Sequence, residues 1–124
     1  MNKLAVGDTL RLKHGIDPKR HLWFVAFECN GDIVIFNSTT KQAWSDLTCQ
    51  MKPGDHPKIV RDSVVIYGYG RLYQSADIAK FEKDDFGGLD RPASRQLISR
   101  IQAGAKQSPH TNPAILRFIK ANNL

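Results

Sequence analysis

Asn30-Gly31 stands between two runs of β-prone, apolar residues, and nothing else in the chain restricts its fold as much. Both residues tolerate the positive φ of a type I′ turn, whose twist matches that of antiparallel strands. The runs on either side cover residues 22–28 and 32–37. They are almost continuously apolar, through Leu22, Trp23, Phe24 and Val25 on one side and Ile33, Val34, Ile35 and Phe36 on the other. Strands of that kind are covered on both faces. The hairpin therefore belongs in a sheet folded over on itself, such as a small barrel.

Further β signals extend this hairpin. Gly7-Asp8 opens Thr9-Leu10-Arg11-Leu12-Lys13, in which apolar residues alternate. Residues 14–20 read as a polar loop. Ser38-Thr39-Thr40 is a hydroxyl cluster at a strand end, residues 47–51 suggest another strand, and Pro53-Gly54 turns the chain. Val64-Val65-Ile66-Tyr67 reads as the last core strand, continuing towards Tyr73. Gly68 and Gly70 mark a bulge or a tight bend within it.

Helices follow. A short one is expected over residues 75–81 with Ser75 as N-cap, then a break at Asp84-Asp85-Phe86-Gly87-Gly88. Asp90 is the expected cap of a helix with Pro92 in its first turn and Leu97, Ile98, Ile101 and Ala105 on one face. Asn112-Pro113 starts a last helix, with Ile115, Phe118 and Ile119 opposite Arg117 and Lys120. The expected fold is α+β: an SH3-like small antiparallel β-barrel of five or six strands followed by C-terminal helices. The 124 residues suit one domain, a barrel over 1–74 with a helical tail over 75–124 packed on it.

Charge is uneven. The net charge is +6, yet residues 1–88 carry 12 Lys/Arg against 11 Asp/Glu. Residues 89–124 carry six Lys/Arg and only Asp90. A concentrated positive charge favours RNA or another polyanion through counterion release. No apolar run approaches the roughly 20 residues of a membrane helix. Two cysteines, Cys29 and Cys49, make no disulfide framework, which suggests a reduced, cytoplasmic protein. There is no P-loop, no nucleophile motif and no tight Cys/His spacing, so neither a metal nor another cofactor is expected.

The stretch from Cys49 to Ser63 concentrates polar chemistry, with His56, Lys58, Arg61, Asp62 and Ser63 on a turn stiffened by Pro53 and Pro57. Each side chain has a plainer reading beside its functional one. His56 can simply fix the turn through a backbone hydrogen bond. Asp62-Ser63 can be a turn pair. Tyr67, Tyr69 and Tyr73 can pack rather than stack on bases. Trp44 lies in a polar loop, so its exposure is informative.

Taken in order, these residues resemble a known group. His21, a strand, Asn30-Gly31, a strand and Asn37-x-Thr39-Thr40 are followed by Cys49, Pro53-Gly54-Asp55-His56-Pro57 and Asp62-Ser63-x-Val65-x-Tyr67. The tail continues with Leu97-Ile98-x-Arg100-Ile101-x-x-Gly104-Ala105. The pattern is similar to small bacterial and phage-borne proteins related to PemK/MazF-type toxins, over roughly residues 5–120. Similarity to the toxins themselves is confined to residues 7–73. The resemblance implies an SH3-like barrel, a homodimer, an antitoxin-like protein partner and metal-free cleavage of single-stranded RNA. The Arg-Pro that usually precedes the toxins' second strand is absent, and Arg20-His21 stands near that place.

Metal-free RNA cleavage needs a base for the 2′-hydroxyl, an acid for the leaving oxygen and a cation or N–H for the phosphorane. The expected catalytic set is His56, Asp62, Thr39, Thr40 and Ser63. The expected substrate-binding set is Arg20, His21, Lys58, Arg61 and Trp44. The alternative is a non-catalytic SH3-like module that binds a protein or nucleic acid.

Overall fold

The hairpin turn has positive φ at both central residues, 52° at Asn30 and 89° at Gly31, as a type I′ turn requires. The Glu28 side chain fastens it by accepting the Gly31 N–H at 2.9 Å. The computed structural model describes residues 4–13, 20–80 and 86–124. The loop expected over residues 14–20 lies outside them except for Arg20, the backbone of which opens a strand.

Six strands are described: β1 (Thr9–Lys13), β2 (Arg20–Cys29), β3 (Asp32–Thr40), β4 (Gln50–Met51), β5 (Ser63–Gln74) and β6 (Phe86–Asp90). All described pairings are antiparallel, in the order β4-β5-β3-β2-β1-β6. The sheet curls into a half-barrel followed by two helices, α1 (Arg95–Gln107) and α2 (Pro113–Ala121). The α+β expectation of a curled antiparallel sheet with C-terminal helices therefore holds.

Several local expectations need correction. The sheet does not finish near residue 74, because Phe86, Gly87 and Gly88, the described part of the stretch read as a break, open β6, which returns to pair with β1. Asp90 is not a helix cap. It ends β6 and accepts the Arg91 N–H at 2.7 Å, while Ser94 caps α1 by accepting from the Leu97 N–H at 3.1 Å. Residues 75–80 form a 3-10 helix (Ser75–Lys80), and the Ser75 hydroxyl accepts the distant Leu4 N–H at 2.8 Å. The expected strand over 47–51 shortens to Gln50–Met51.

Alternate residues of the central strands feed two cores. Leu22, Phe24, Ala26, Val34 and Phe36 face the core completed by Val65, Tyr67 and the apolar stripes of α1 and α2. Trp23, Val25, Ile33 and Ile35 face a second core with Leu4, Leu10 and Ile78. This is why the hairpin reads as unbroken apolar sequence: both faces are covered.

Bulges set the curvature. The β2–β3 register shifts between Val25 and Phe27. The Ala26 carbonyl at that bulge accepts from Gln102 Nε2 at 2.7 Å, tying α1 to the sheet. The β3–β5 register jumps from Asn37↔Ile66 to Ile35↔Arg71. The glycine-containing stretch of β5 at 67–70 thus faces Phe36 alone, as Gly68 and Gly70 suggested. A Cβ on Gly70 would lie 2.6 Å from the Phe36 ring, so only glycine allows this approach.

Candidate functional site

The loop between β4 and β5 works at both ends, and its two ends do different things. The first end closes the open side of the half-barrel, between edge strands β4 and β6. His56 is buried there at 3% exposure, with its ring edge-on to Phe24 at a centroid distance of 6.3 Å. Its Nδ1 accepts the Lys58 backbone N–H at 3.0 Å. That fixes the proton on Nε2, which donates to the Arg91 carbonyl at 2.6 Å. The same carbonyl accepts from the Thr9 hydroxyl at 2.7 Å. Lys58 Nζ lies 3.9 Å from the Asp90 carboxylate, which also faces Arg11 Nε at 3.7 Å. Asp90 ends β6 and Arg91 follows it, so the loop is clasped across the seam.

The second end meets the end of β3. Thr40 pairs with Ser63, and the Lys41 N–H donates to the Asp62 carbonyl at 2.9 Å. Thr40, Lys41, Gln42, Arg61 and Asp62 line an open hollow of about 500 Å³. Lys41 Nζ donates to the neutral Gln50 Oε1 at 3.0 Å, a contact that leaves its charge uncancelled. Arg61 and Asp62 are exposed.

A groove of about 350 Å³ adjoins the hollow and shares Gln42 with it. Ile66 and Tyr69 contribute apolar surface beside buried Val64, and Thr39, Trp44, Ser45 and Asp46 complete the lining. Trp44 is 83% exposed, whereas Trp23 is 2% exposed in the second core, with its indole donating to the Leu12 carbonyl. Tyr69 is exposed because the β5 bulge turns Tyr67 inward and releases Tyr69 outward.

The loop carrying Trp44 is anchored at both sides. Gln42 and Ser45 exchange two hydrogen bonds, Gln42 N–H to Ser45 Oγ at 2.8 Å and Ser45 N–H to the Gln42 carbonyl at 3.2 Å. Asp46 accepts from the Thr48 N–H and hydroxyl through Oδ1 and from the buried Ser108 hydroxyl through Oδ2. Burial pushes the Asp46 carboxyl up, but the bonds from Ser108 and Thr48, with His110 nearby, outweigh it and hold the group below the ordinary carboxylate range. Exposed His110 belongs to the same junction: its backbone N–H donates to the Ser108 hydroxyl at 3.1 Å, and a Cβ on Gly68 would lie 3.7 Å from its own Cβ.

The sequence-derived set therefore divides. Thr39, Thr40, Arg61, Asp62 and Trp44 come together along one rim. The expectation that His56 would join them is not met, because it lines neither hollow nor groove and both its ring nitrogens are engaged in the clasp. Nor is it a lightly packed turn side chain. Lys58 lies at the seam. Ser63 is buried, with its hydroxyl donating to the Arg61 carbonyl at 2.8 Å. His21 is half-buried opposite Leu12 in the β1–β2 pair, and the Arg20 side chain lies outside the described residues. Lys41, Asp46, Tyr69 and His110 at or beside the rim were not in the expected set. Only the exposed-loop context of Trp44 hinted at Asp46, and nothing local pointed to His110.

Among the described residues, no group of three or more His, Cys, Asp or Glu is placed to hold a metal ion. No described helix is long and apolar enough to cross a membrane. The fold is similar to that of an endoribonuclease solved in complex with its cognate antitoxin from a mycobacterial species. The TM-score is 0.56 at 16% identity, covering 90% of this chain and 98% of that one. No family model matches the sequence. No curated protein matches it either.

Proposed function

We propose that the protein is a toxin-type endoribonuclease that binds single-stranded RNA along the rim and cleaves it without a metal. The observation that carries this reading is the shared hollow in which the β3 end and the β4–β5 loop set Thr40, Lys41, Arg61 and Asp62 side by side. The fold likeness to an endoribonuclease supports it. Arg61 and Lys41 take the phosphate charge, and the Thr40 hydroxyl orients its oxygens, with Thr39 turned to the adjoining groove. Asp62 accepts the 2′-hydroxyl proton, and the 2′-oxygen attacks phosphorus. The cations then face the charge that builds on the phosphorane. The leaving 5′-oxygen takes its proton from water, since the hollow is open to solvent and no imidazole lines it. His56 and Ser63 act by holding the loop that presents Arg61 and Asp62.

Exposed Arg91, Arg95, Arg117 and Lys120 add a sequence-independent attraction for the RNA backbone. Binding then weakens steeply between low and physiological salt. In this reading a protein partner of the antitoxin type and a homodimer accompany the enzyme, as in the toxins the sequence resembles.

The test is incubation of purified protein with mixed single-stranded RNA in EDTA, beside Asp62→Asn. The expected result is cleavage by wild type and loss of it in the variant. A second reading, a non-catalytic binding module, draws on the exposed apolar side chains of Trp44, Leu47, Val60 and Tyr69 and on the absence of His56 from the hollow. RNA binding with no cleavage by wild type would favour that module over the enzyme.

A further inference from the structure

We propose that the groove beside Trp44 is a nucleobase site, in which the indole stacks on a base while that nucleotide's phosphate lies in the adjoining hollow at Lys41 and Arg61. The inference rests on the RNA reading above and specifies how the substrate is held.

The first observation is the exposure of Trp44. An indole 83% exposed contributes little to the core, yet its loop is fixed by the Gln42–Ser45 pair and by the Asp46 anchors to Thr48 and Ser108. A large aromatic surface is thus held ready without packing on its own protein. Little backbone freedom remains to be lost when a ligand covers it.

The second observation is the chemistry of the groove. Ile66 and Tyr69 give an apolar wall beside buried Val64, while Thr39, Gln42 and Ser45 give hydroxyls and an amide. A flat heterocycle with hydrogen-bonding edges matches that combination. The volume of about 350 Å³ lies at the small end of ligand sites, which suits a single nucleotide unit.

The third observation is continuity. Thr39 lines the groove and Thr40 the hollow, and Gln42 lines both. A single strand passing Gln42 would meet an aromatic face on one side of it and cations on the other. Base stacking beside cationic backbone contacts is how single strands are held without sequence readout. Two cations, Lys41 and Arg61, stand against the carboxylate of Asp62, while that of Asp46 is turned to Thr48 and Ser108, and this balance favours an RNA over a protein occupant.

Intrinsic fluorescence isolates the site, since Trp23 is buried and Trp44 is exposed. The full chain is titrated at low salt with a short 2′-O-methyl oligonucleotide, which cannot be cleaved through its 2′ position, and with an abasic oligomer of equal length. The expected result is saturable quenching by the first only, with binding of the abasic oligomer weaker by about 5- to 150-fold. Trp44→Ala, read by anisotropy of a labelled oligonucleotide, should lose affinity over the same range, and Trp44→Phe should recover most of it. Equal affinity for the abasic oligomer, or none lost in Trp44→Ala, overturns the base site and leaves the RNA reading standing. No binding of either oligomer at low salt overturns both and assigns the exposed indole to a protein partner.

Discussion

The two ends of the β4–β5 loop carry the same kinds of side chain in opposite circumstances. At the seam, the imidazole of His56 is buried and both its nitrogens are engaged. At the rim, Arg61 and Asp62 are exposed beside Thr40 and Lys41 in an open hollow. A buried, fully bonded polar group defines a structure, because breaking its bonds leaves unsatisfied partners inside. Exposed charges held on a firm loop contribute little to stability and remain available to a ligand. The polar density of residues 49–63 thus marks a boundary between structure and site, and only part of it is chemistry.

The largest expected effect falls on the rim. Asp62→Asn should lower RNA cleavage by ~10²–10⁴-fold while leaving the melting temperature unchanged, since surface changes usually stay within about 0.5 kcal/mol. A parallel fall in melting temperature would erase the distinction between the two ends.

The next concerns the seam. His56→Ala strips the acceptor from the Lys58 N–H and one donor from the Arg91 carbonyl, and empties a space against Phe24. The expected cost is about 1–3 kcal/mol, or roughly 4–12 °C by thermal melt. Cleavage should persist at temperatures where the variant remains folded. Complete loss in a folded His56→Ala, with RNA binding retained, would return His56 to the reaction.

A smaller effect tests the anchor of the rim loop against acid. The Asp46 carboxyl lies below its ordinary value of 3.8 in the folded protein. Asp55 behaves alike: burial raises it, but the Lys52 N–H and Arg100 outweigh that. A depressed folded value stabilises above the unfolded one, so this contribution is complete above pH 3.8 and fades as pH falls through the lower folded values. Denaturant melts between about pH 5 and pH 2, at roughly unit intervals, should show this loss, and Asp46→Asn should flatten it. An unchanged acid limb in the variant would remove Asp46 as an anchor.

The smallest effect is expected at Lys58. Its contact with Asp90 is 3.9 Å long and its side chain is 55% exposed. Lys58→Ala should change stability by less than about 0.5 kcal/mol and leave cleavage unaffected. A large loss of activity would put the seam within reach of the substrate.

Much of this was legible in residues. Asn30-Gly31 announced its turn because few residue pairs accept positive φ. The two-sided burial of β2 and β3 was visible in their unbroken apolar runs. Asn112-Pro113 opened its helix as expected, with the Asn112 side chain accepting the Ala114 N–H at 2.8 Å. The bulge in β5 showed in Gly68 and Gly70. Of the expected residues, Thr40, Arg61 and Asp62 line the hollow, and Thr39 and Trp44 line the groove beside it.

The remainder could not be read locally. Whether His56 faced solvent or the core depended on Arg91, 35 residues away. The anchoring of the Trp44 loop depended on Ser108, 62 residues from Asp46. β6 was missed because Gly87 and Gly88 look like a break until β1 offers an edge with which Phe86 and Gly88 pair. The turns, the Asn112 cap and the two-faced strands could be read from the residues alone, since these follow from φ/ψ preferences and from the period of apolar residues along a few positions. Tertiary structure alone decided which polar groups were sealed into the seam and which were left exposed on the rim. Burial depends on what lies opposite, and the chain is brought opposite itself only when the whole sheet curls closed.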